Sequence, residues 1–106
     1  MQETLSALLS ELRSSFERLY DQRLARLILF GSQARADAEP GSDIDVLVVL
    51  HDQVKPGEEI ARTGPITAAL SLKYDAIVSC TFIAADRFAT EQSPLLLNVH
   101  REGVMV

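Results

Sequence analysis

Between Glu3 and Tyr20 the apolar positions fall at Leu5, Leu8, Leu9, Leu12, Phe16, Leu19 and Tyr20. Steps of three and four place them on one stripe of a helix, with Glu3, Glu11, Arg13 and Glu17 turned outward. The next run, Leu24 to Phe30, is short, apolar and halted by Gly31, which is the pattern of a buried strand. A helical turn is expected from Ser32, followed by a loop through Pro40-Gly41. Asp43 to Leu50 reads as a second strand, rich in β-branched residues. Pro56-Gly57 breaks the chain, and Glu58 to Leu72 looks helical, interrupted or kinked around Gly64-Pro65. Tyr74 to Ile83 supplies a third strand.

Ser93-Pro94 has the form of an N-cap with proline at the first helical position. It opens a short helix through Leu95, Leu96, Val99 and His100, which Gly103 ends, and Val104 to Val106 could add a last strand. The predicted order is therefore α-β-α-β-α-β-α-β in one domain, residues 1–106. The connection between the first two strands is too short for a crossover helix, so they should pair antiparallel. That makes an α+β domain: a mixed β-sheet of three to four strands with helices packed against it, not an all-parallel sheet.

Composition narrows the functional classes. With 106 residues, 47% of them apolar, the chain can build one packed core. The single cysteine, Cys80, cannot form an internal disulfide, which suits a reducing compartment. No apolar run approaches the roughly 20 residues of a membrane helix, and the first residues do not resemble a secretory signal. A cytoplasmic protein is expected. Net charge is −5, with basic residues scattered, so a phosphate-neutralising nucleic-acid surface is disfavoured.

The stretch that carries chemistry is Phe30-Gly31-Ser32-Gln33-Ala34-Arg35, followed by Ser42-Asp43-Ile44-Asp45. Glycine lets a backbone approach a phosphate, and free N–H groups at a helix start, with the Ser32 hydroxyl, are donors to phosphate oxygens. Arg35 is placed either to add a charge-assisted contact or to partner a structural acid. Asp43 and Asp45 lie two apart on a strand, so both project to one face, with Cα atoms about 7 Å apart. Their mutual repulsion is relieved by divalent cations. Two such ions about 3.5–4 Å apart can activate an attacking group and stabilise a leaving one. Carboxylates suit Mg²⁺, which keeps positions for phosphates and water. Asp75, read at the start of the third strand, is the candidate third carboxylate, able to bind metal and accept a proton from an attacking hydroxyl. The plainer alternatives are solvated acids at two strand ends.

Gly31-Ser32, ten residues, then Asp43-x-Asp45 in an apolar strand resembles the signature of the DNA polymerase β-like nucleotidyltransferase superfamily. The form Gly-Ser-x-Ala-Arg, then Ser-Asp-Ile-Asp-Val-Leu-Val, is similar to its minimal nucleotidyltransferase branch, as is the close from Ser93-Pro94 through Arg101-Glu102-Gly103. The resemblance implies the polymerase β-like fold. It also implies transfer of a nucleoside monophosphate, AMP from ATP, with two Mg²⁺ ions. Gly31, Ser32, Arg35 and Ser42 would serve the nucleotide, and Asp43, Asp45 and Asp75 the metals. Gln33 stands where a basic residue is frequent and Ala36 where glycine is frequent.

Members of that branch act on a separate helical HEPN protein, often an RNase toxin, for which they are the antitoxin; on this reading the acceptor is expected to come from another molecule. A protein partner of HEPN type is therefore expected, its hydroxyl the acceptor. The rival readings are transfer to a small hydroxylated compound of aminoglycoside kind, and a catalytically idle antitoxin that works by contact. His51 and His100 lack metal-ligand spacing, and Cys80 reads as a small core residue. A further expectation is that another chain covers apolar surface near Leu47 and Val49, or on the first helix.

Overall fold

The computed structural model describes residues 3–35 and 41–106. Ala36 and Pro40, on which part of the loop reading rests, lie outside the described residues. The elements are helix α1 (Glu3–Tyr20), a 3-10 turn (Asp21–Arg23), strand β1 (Leu24–Phe30), the short helix α2 (Ser32–Arg35) and strand β2 (Ile44–Leu50). They continue with α3 (Pro56–Tyr74), β3 (Val78–Ala84), α4 (Ala85–Thr90), α5 (Pro94–Glu102) and the two-residue β4 (Val104–Met105).

The sheet order is β3-β2-β1-β4. β1 pairs antiparallel with β2 and with β4, as the short first connection requires, whereas β2 and β3 run parallel across the α3 crossover. The sheet is mixed, with helices on both faces. Leu27 and Leu29 of β1, with Ile44, Val46, Val48 and Leu50 of β2, pack under the apolar stripe of α1 and Leu70 of α3. On the other side Ile28, Leu47, Val49 and Ile83 meet Leu96 and Val99 of α5. Alternation along β2 thus feeds two cores, which is why this strand is apolar at nearly every position.

Three expectations need correction. The third strand does not begin at Tyr74: α3 runs on to that residue. Asp75 then takes a left-handed conformation (φ 50°), and its N–H closes the helix on the Ser71 carbonyl. Strand pairing resumes only where the Ile44 N–H reaches the Ile77 carbonyl at 2.8 Å. Second, Gly64-Pro65 does not interrupt α3. Proline removes one helical hydrogen bond, but buried Glu59, Thr63 and Leu70 hold both halves to the domain.

Third, Leu47 and Val49 are fully enclosed by the chain itself, and so is the stripe of α1 apart from Leu19, which stays exposed. The cover comes partly from α4, an element the sequence pattern did not announce. The argument for a covering chain at those places falls.

One polar tether crosses the first core. The buried Glu59 carboxylate accepts from the Tyr20 hydroxyl at 2.8 Å, from Arg62 at 2.9 Å and from Arg23 at 3.3 Å. Arg23 in turn grips Asp52 at 2.8 Å. α1, the turn after it, α3 and the β2–α3 connection are locked together by one carboxylate.

Candidate active site

β1 must stop abruptly for anything to be built at its end, and Gly31 stops it with φ 75°. Its carbonyl accepts from the Ala34 and Arg35 N–H groups at 3.1 and 3.2 Å, which starts α2. Among the described residues the N–H groups of Ser32 and Gln33 have no acceptor. Two donors and the Ser32 hydroxyl are therefore left at the mouth of the turn. Gln33 donates from Nε2 to the Ser42 carbonyl at 3.4 Å, drawing the turn toward the start of β2.

Asp45 is half-buried in the middle of this arrangement. It stands opposite Phe30 on β1 and opposite Ser79 on β3. Asp43, on the same face at the rim, is exposed. Burial, and then the Asp43 charge beside it, holds the Asp45 carboxyl above the usual carboxylate range. No hydrogen bond offsets that cost among the described residues. A cation between the two would.

The other expected residues are placed differently. Asp75 caps α3, exposed, three residues before β3. It borders a cleft of about 490 Å³ with Gln33, Ser42, Ile44 and Tyr74, on the side where α1 packs. Among the described residues no three of His, Cys, Asp and Glu gather in a way that could hold a metal. The third carboxylate that the sequence assigned to Asp75 is not brought to Asp43 and Asp45. The error follows from the helix end, since four residues read as strand are helix terminus and turn. Arg35 pairs with Glu102 of α5 at 3.2 Å, the structural partnership left open above.

The bland readings of the remaining groups agree with their surroundings. His100 stacks on Phe88, ring centroids 4.6 Å apart, and its Nε2 lies 3.1 Å from the Phe88 carbonyl. Burial pushes the Cys80 thiol up to about 12, so it stays protonated and unreactive. No helix among the described residues is long and apolar enough to cross a membrane.

Sequence reading did not single out Ser79, which the register sets opposite Asp45. In parallel pairing, residues opposite one another share a face, so Ser79 and Thr81 continue the face of Asp45 and Leu47. Both are exposed. Alternation back from Ile83 within β3 would have pointed to position 79, had the strand start been known.

Comparison with known proteins agrees with this geometry. The sequence profile described as "Nucleotidyltransferase domain" matches residues 9–92. A protein of Methanocaldococcus jannaschii named "Putative protein adenylyltransferase MJ0141" is 34% identical over 74 residues, 68% of this chain and 72% of the relative. Among solved structures, one described as "Structure of putative minimal nucleotidyltransferase" superimposes with a TM-score of 0.61 at 20% identity, covering 96% of this chain and 95% of that one. A chain from "Crystal structure of the toxin-antitoxin with AMP-PNP" gives a TM-score of 0.59 at 20% identity, over 88% of this chain and 69% of that one. The matched profile spans the Gly31-Ser32 turn and the Asp43-x-Asp45 strand alike, and the chain accordingly belongs to the nucleotidyltransferase domain family.

Proposed function

We propose that this protein transfers AMP from ATP to a hydroxyl group of a partner protein, a helical RNase toxin of HEPN type, and thereby acts as its antitoxin. The observation that carries the reading is the Asp43–Asp45 pair at the rim of the sheet, set against a turn whose serine and N–H groups are unspent. The 34% identical relative bears the name of a protein adenylyltransferase, and one fold neighbour is part of a toxin–antitoxin pair with a nucleotide analogue.

The residues divide the work by position. Ser32, with the backbone donors beside Gly31, receives phosphate oxygens, and Ser42 edges the same opening. Asp43 and Asp45 suit a Mg²⁺ ion. They are two carboxylates on one face, one of them desolvated and unbonded, and a magnesium site needs only one or two when phosphates supply the rest. Such an ion, when bound, neutralises triphosphate charge and the developing pyrophosphate. The second ion of the two-metal expectation lacks a third carboxylate among the described residues. In the transfer the acceptor hydroxyl gives up its proton to solvent as its oxygen bonds to the α-phosphorus, the bond from that phosphorus to the bridging oxygen breaks, and pyrophosphate leaves.

The test is incubation with α-labelled ATP, Mg²⁺ and the product of the neighbouring gene. Label should appear on the partner and vanish with Asp43→Asn or Asp45→Asn in folded protein. Unlabelled partner in a stable complex would overturn the reading. The missing third carboxylate favours one rival, an antitoxin acting by contact alone. Protection of cells by Asp45→Asn as complete as by wild type would establish that rival.

A further inference from the structure

The two edges of the sheet are finished differently. On one side β1 is closed by β4, two residues long, with the Val106 N–H on the Leu27 carbonyl beyond it. A strand that short offers little for another chain to pair with. The other edge is β3, seven residues with nothing paired on its outer side among the described residues. The Ile44 N–H bonds to the Ile77 carbonyl, which sets the phase of the ladder, so odd positions of β3 aim their backbone groups at β2. Val78, Cys80, Phe82 and Ala84 therefore aim N–H and C=O outward. α4 does not cover them. It turns back over the sheet face of Leu47 and Val49, against which Ala85 and Phe88 pack. Edge strands are ordinarily guarded by a charge, a proline or a bulge. β3 reads Val-Ser-Cys-Thr-Phe-Ile-Ala, without charge or proline, and its register with β2 runs unbroken from Val78 to Ala84.

We propose that this edge joins two copies of the chain: β3 pairs antiparallel with β3 of a second copy about a two-fold axis through Thr81, and two four-stranded sheets become one. Thr81 is the midpoint of the strand, so this register uses its whole length. Val78 then faces Ala84 and Cys80 faces Phe82 across the seam, and these are the positions with backbone groups to exchange. Thr81 meets its own copy in the close pair that exchanges no backbone bonds. Its Cα atoms are then about 4.5 Å apart, and the two exposed hydroxyls can bond each other. Charge favours a second copy over a foreign strand. The seam is neutral, so no like charges are opposed along it. Beyond it, the antiparallel direction sets Lys73 and Asp75 of one copy beside Asp86 and Arg87 of the other, all four exposed. One acid and one base stand on each side, and symmetry repeats the match at the other end. The chain complements itself.

The experiment is sedimentation equilibrium of the full chain alone, for wild type, Thr81→Lys, Thr81→Glu and an equal mixture of the two variants. Wild type should form dimers that dissociate on dilution. Each single variant sets like charges face to face on the axis and should weaken the dimer at least about tenfold. The mixture should dimerise again, because it opposes lysine to glutamate. Register is read by oxidation with oxidised glutathione in a Cys80→Ala background. Thr81→Cys should give a disulfide-linked dimer, since its paired Cα atoms lie within disulfide range. Ser79→Cys, which faces Ile83 of the other copy, should not. A wild-type monomer at every concentration, a Thr81→Lys dimer as tight as wild type, or a mixture that stays monomeric would overturn the proposal. Cross-linking through Ser79→Cys and not Thr81→Cys would overturn it too. So would a monomeric wild type that binds the neighbouring gene's product and loses it in Thr81→Lys, since the edge would then serve a foreign chain. Thr81 is exposed, so its variants should fold, and circular dichroism spectra matching wild type check this.

Discussion

A Cβ on Gly31 would lie 2.7 Å from Oδ2 of Asp45. The absent side chain of one residue and the carboxylate of the other fill a single volume, so the end of β1 and the acid of β2 were fitted to each other. The φ of 75° at Gly31 adds a second reason for glycine.

Gly31→Ala should therefore be penalised twice. The left-handed backbone alone costs about 1–2 kcal/mol for a residue with a Cβ, and the collision displaces Asp45. Urea denaturation should show a total loss of at least about 2 kcal/mol. Asp45→Ala removes the collision but not the backbone strain. In a double-mutant cycle the pair should lose less than the sum of the two single changes. Strict additivity would mean that the two residues do not compete for space.

Asp45 itself is held in an unfavourable state. Its carboxyl lies above its ordinary range, from burial first and Asp43 second. The folded protein thus binds that proton more readily than the unfolded chain does, and stability must fall as pH rises from the ordinary carboxylate range through the elevated value. Asp45→Asn should melt at a higher temperature than wild type near neutral pH, with the gap closing as acid protonates the wild-type carboxyl. Mg²⁺ with ATP should raise the melting temperature of wild type and not of the variant. A variant that melts below wild type at neutral pH would contradict this account.

How far the sequence disclosed this site depended on which physical signal each residue carried. β1, the Ser93 cap and the antiparallel first pair were legible because local patterns decide them. An apolar run halted by glycine, a serine that accepts from the Leu96 N–H, and a short connection needed no tertiary knowledge. The Asp43–Asp45 face was legible for the same reason. Asp75 was misplaced because the end of α3 is set by a left-handed cap, which aspartate at that point does not advertise. The place of Ser79 opposite Asp45 was invisible because it is set by a register across β2 and β3. Arg35 was open to two readings, and its pairing with Glu102, far along the chain, could not be foreseen from the local pattern.

Glu59 shows how much one carboxylate organises away from the site. It is 2% exposed and is met by the Tyr20 hydroxyl and two guanidinium groups. Glu59→Gln keeps the volume and leaves Arg23 and Arg62 facing a neutral amide, a loss of about 3 kcal/mol or more in chemical denaturation. Tyr20→Phe should cost about 1 kcal/mol. Burial and the neighbouring Glu59 raise the Tyr20 phenol, so wild-type stability should be intact below about pH 10 and fall as alkali ionises it. Tyr20→Phe lacks that titration and should lose less stability on going into alkali. Parallel alkaline unfolding curves would remove Tyr20 from this role.

Gly103 is a glycine for a different reason from Gly31. Its φ is −65°, open to any residue, but a Cβ would sit 2.5 Å from the Val99 carbonyl oxygen and 2.6 Å from Cγ2 of Ile28. The constraint is contact between the end of α5 and β1. Gly103→Ala should cost about 1–3 kcal/mol through overpacking, and Ile28→Ala should relieve only part of it, because the backbone oxygen cannot be trimmed away. The displacement should be felt on both sides of the residue. β4 follows at once, bonded to Ile28 and Leu29, so amide exchange at Val104 and Met105 should quicken. Glu102 precedes it and holds Arg35, so the helix after Ser32 should loosen as well. Hydrogen exchange that quickens at β4 and leaves Gln33 to Arg35 unchanged would show that α5 only stops the sheet. Quickening in both places would make it a brace for the nucleotide turn.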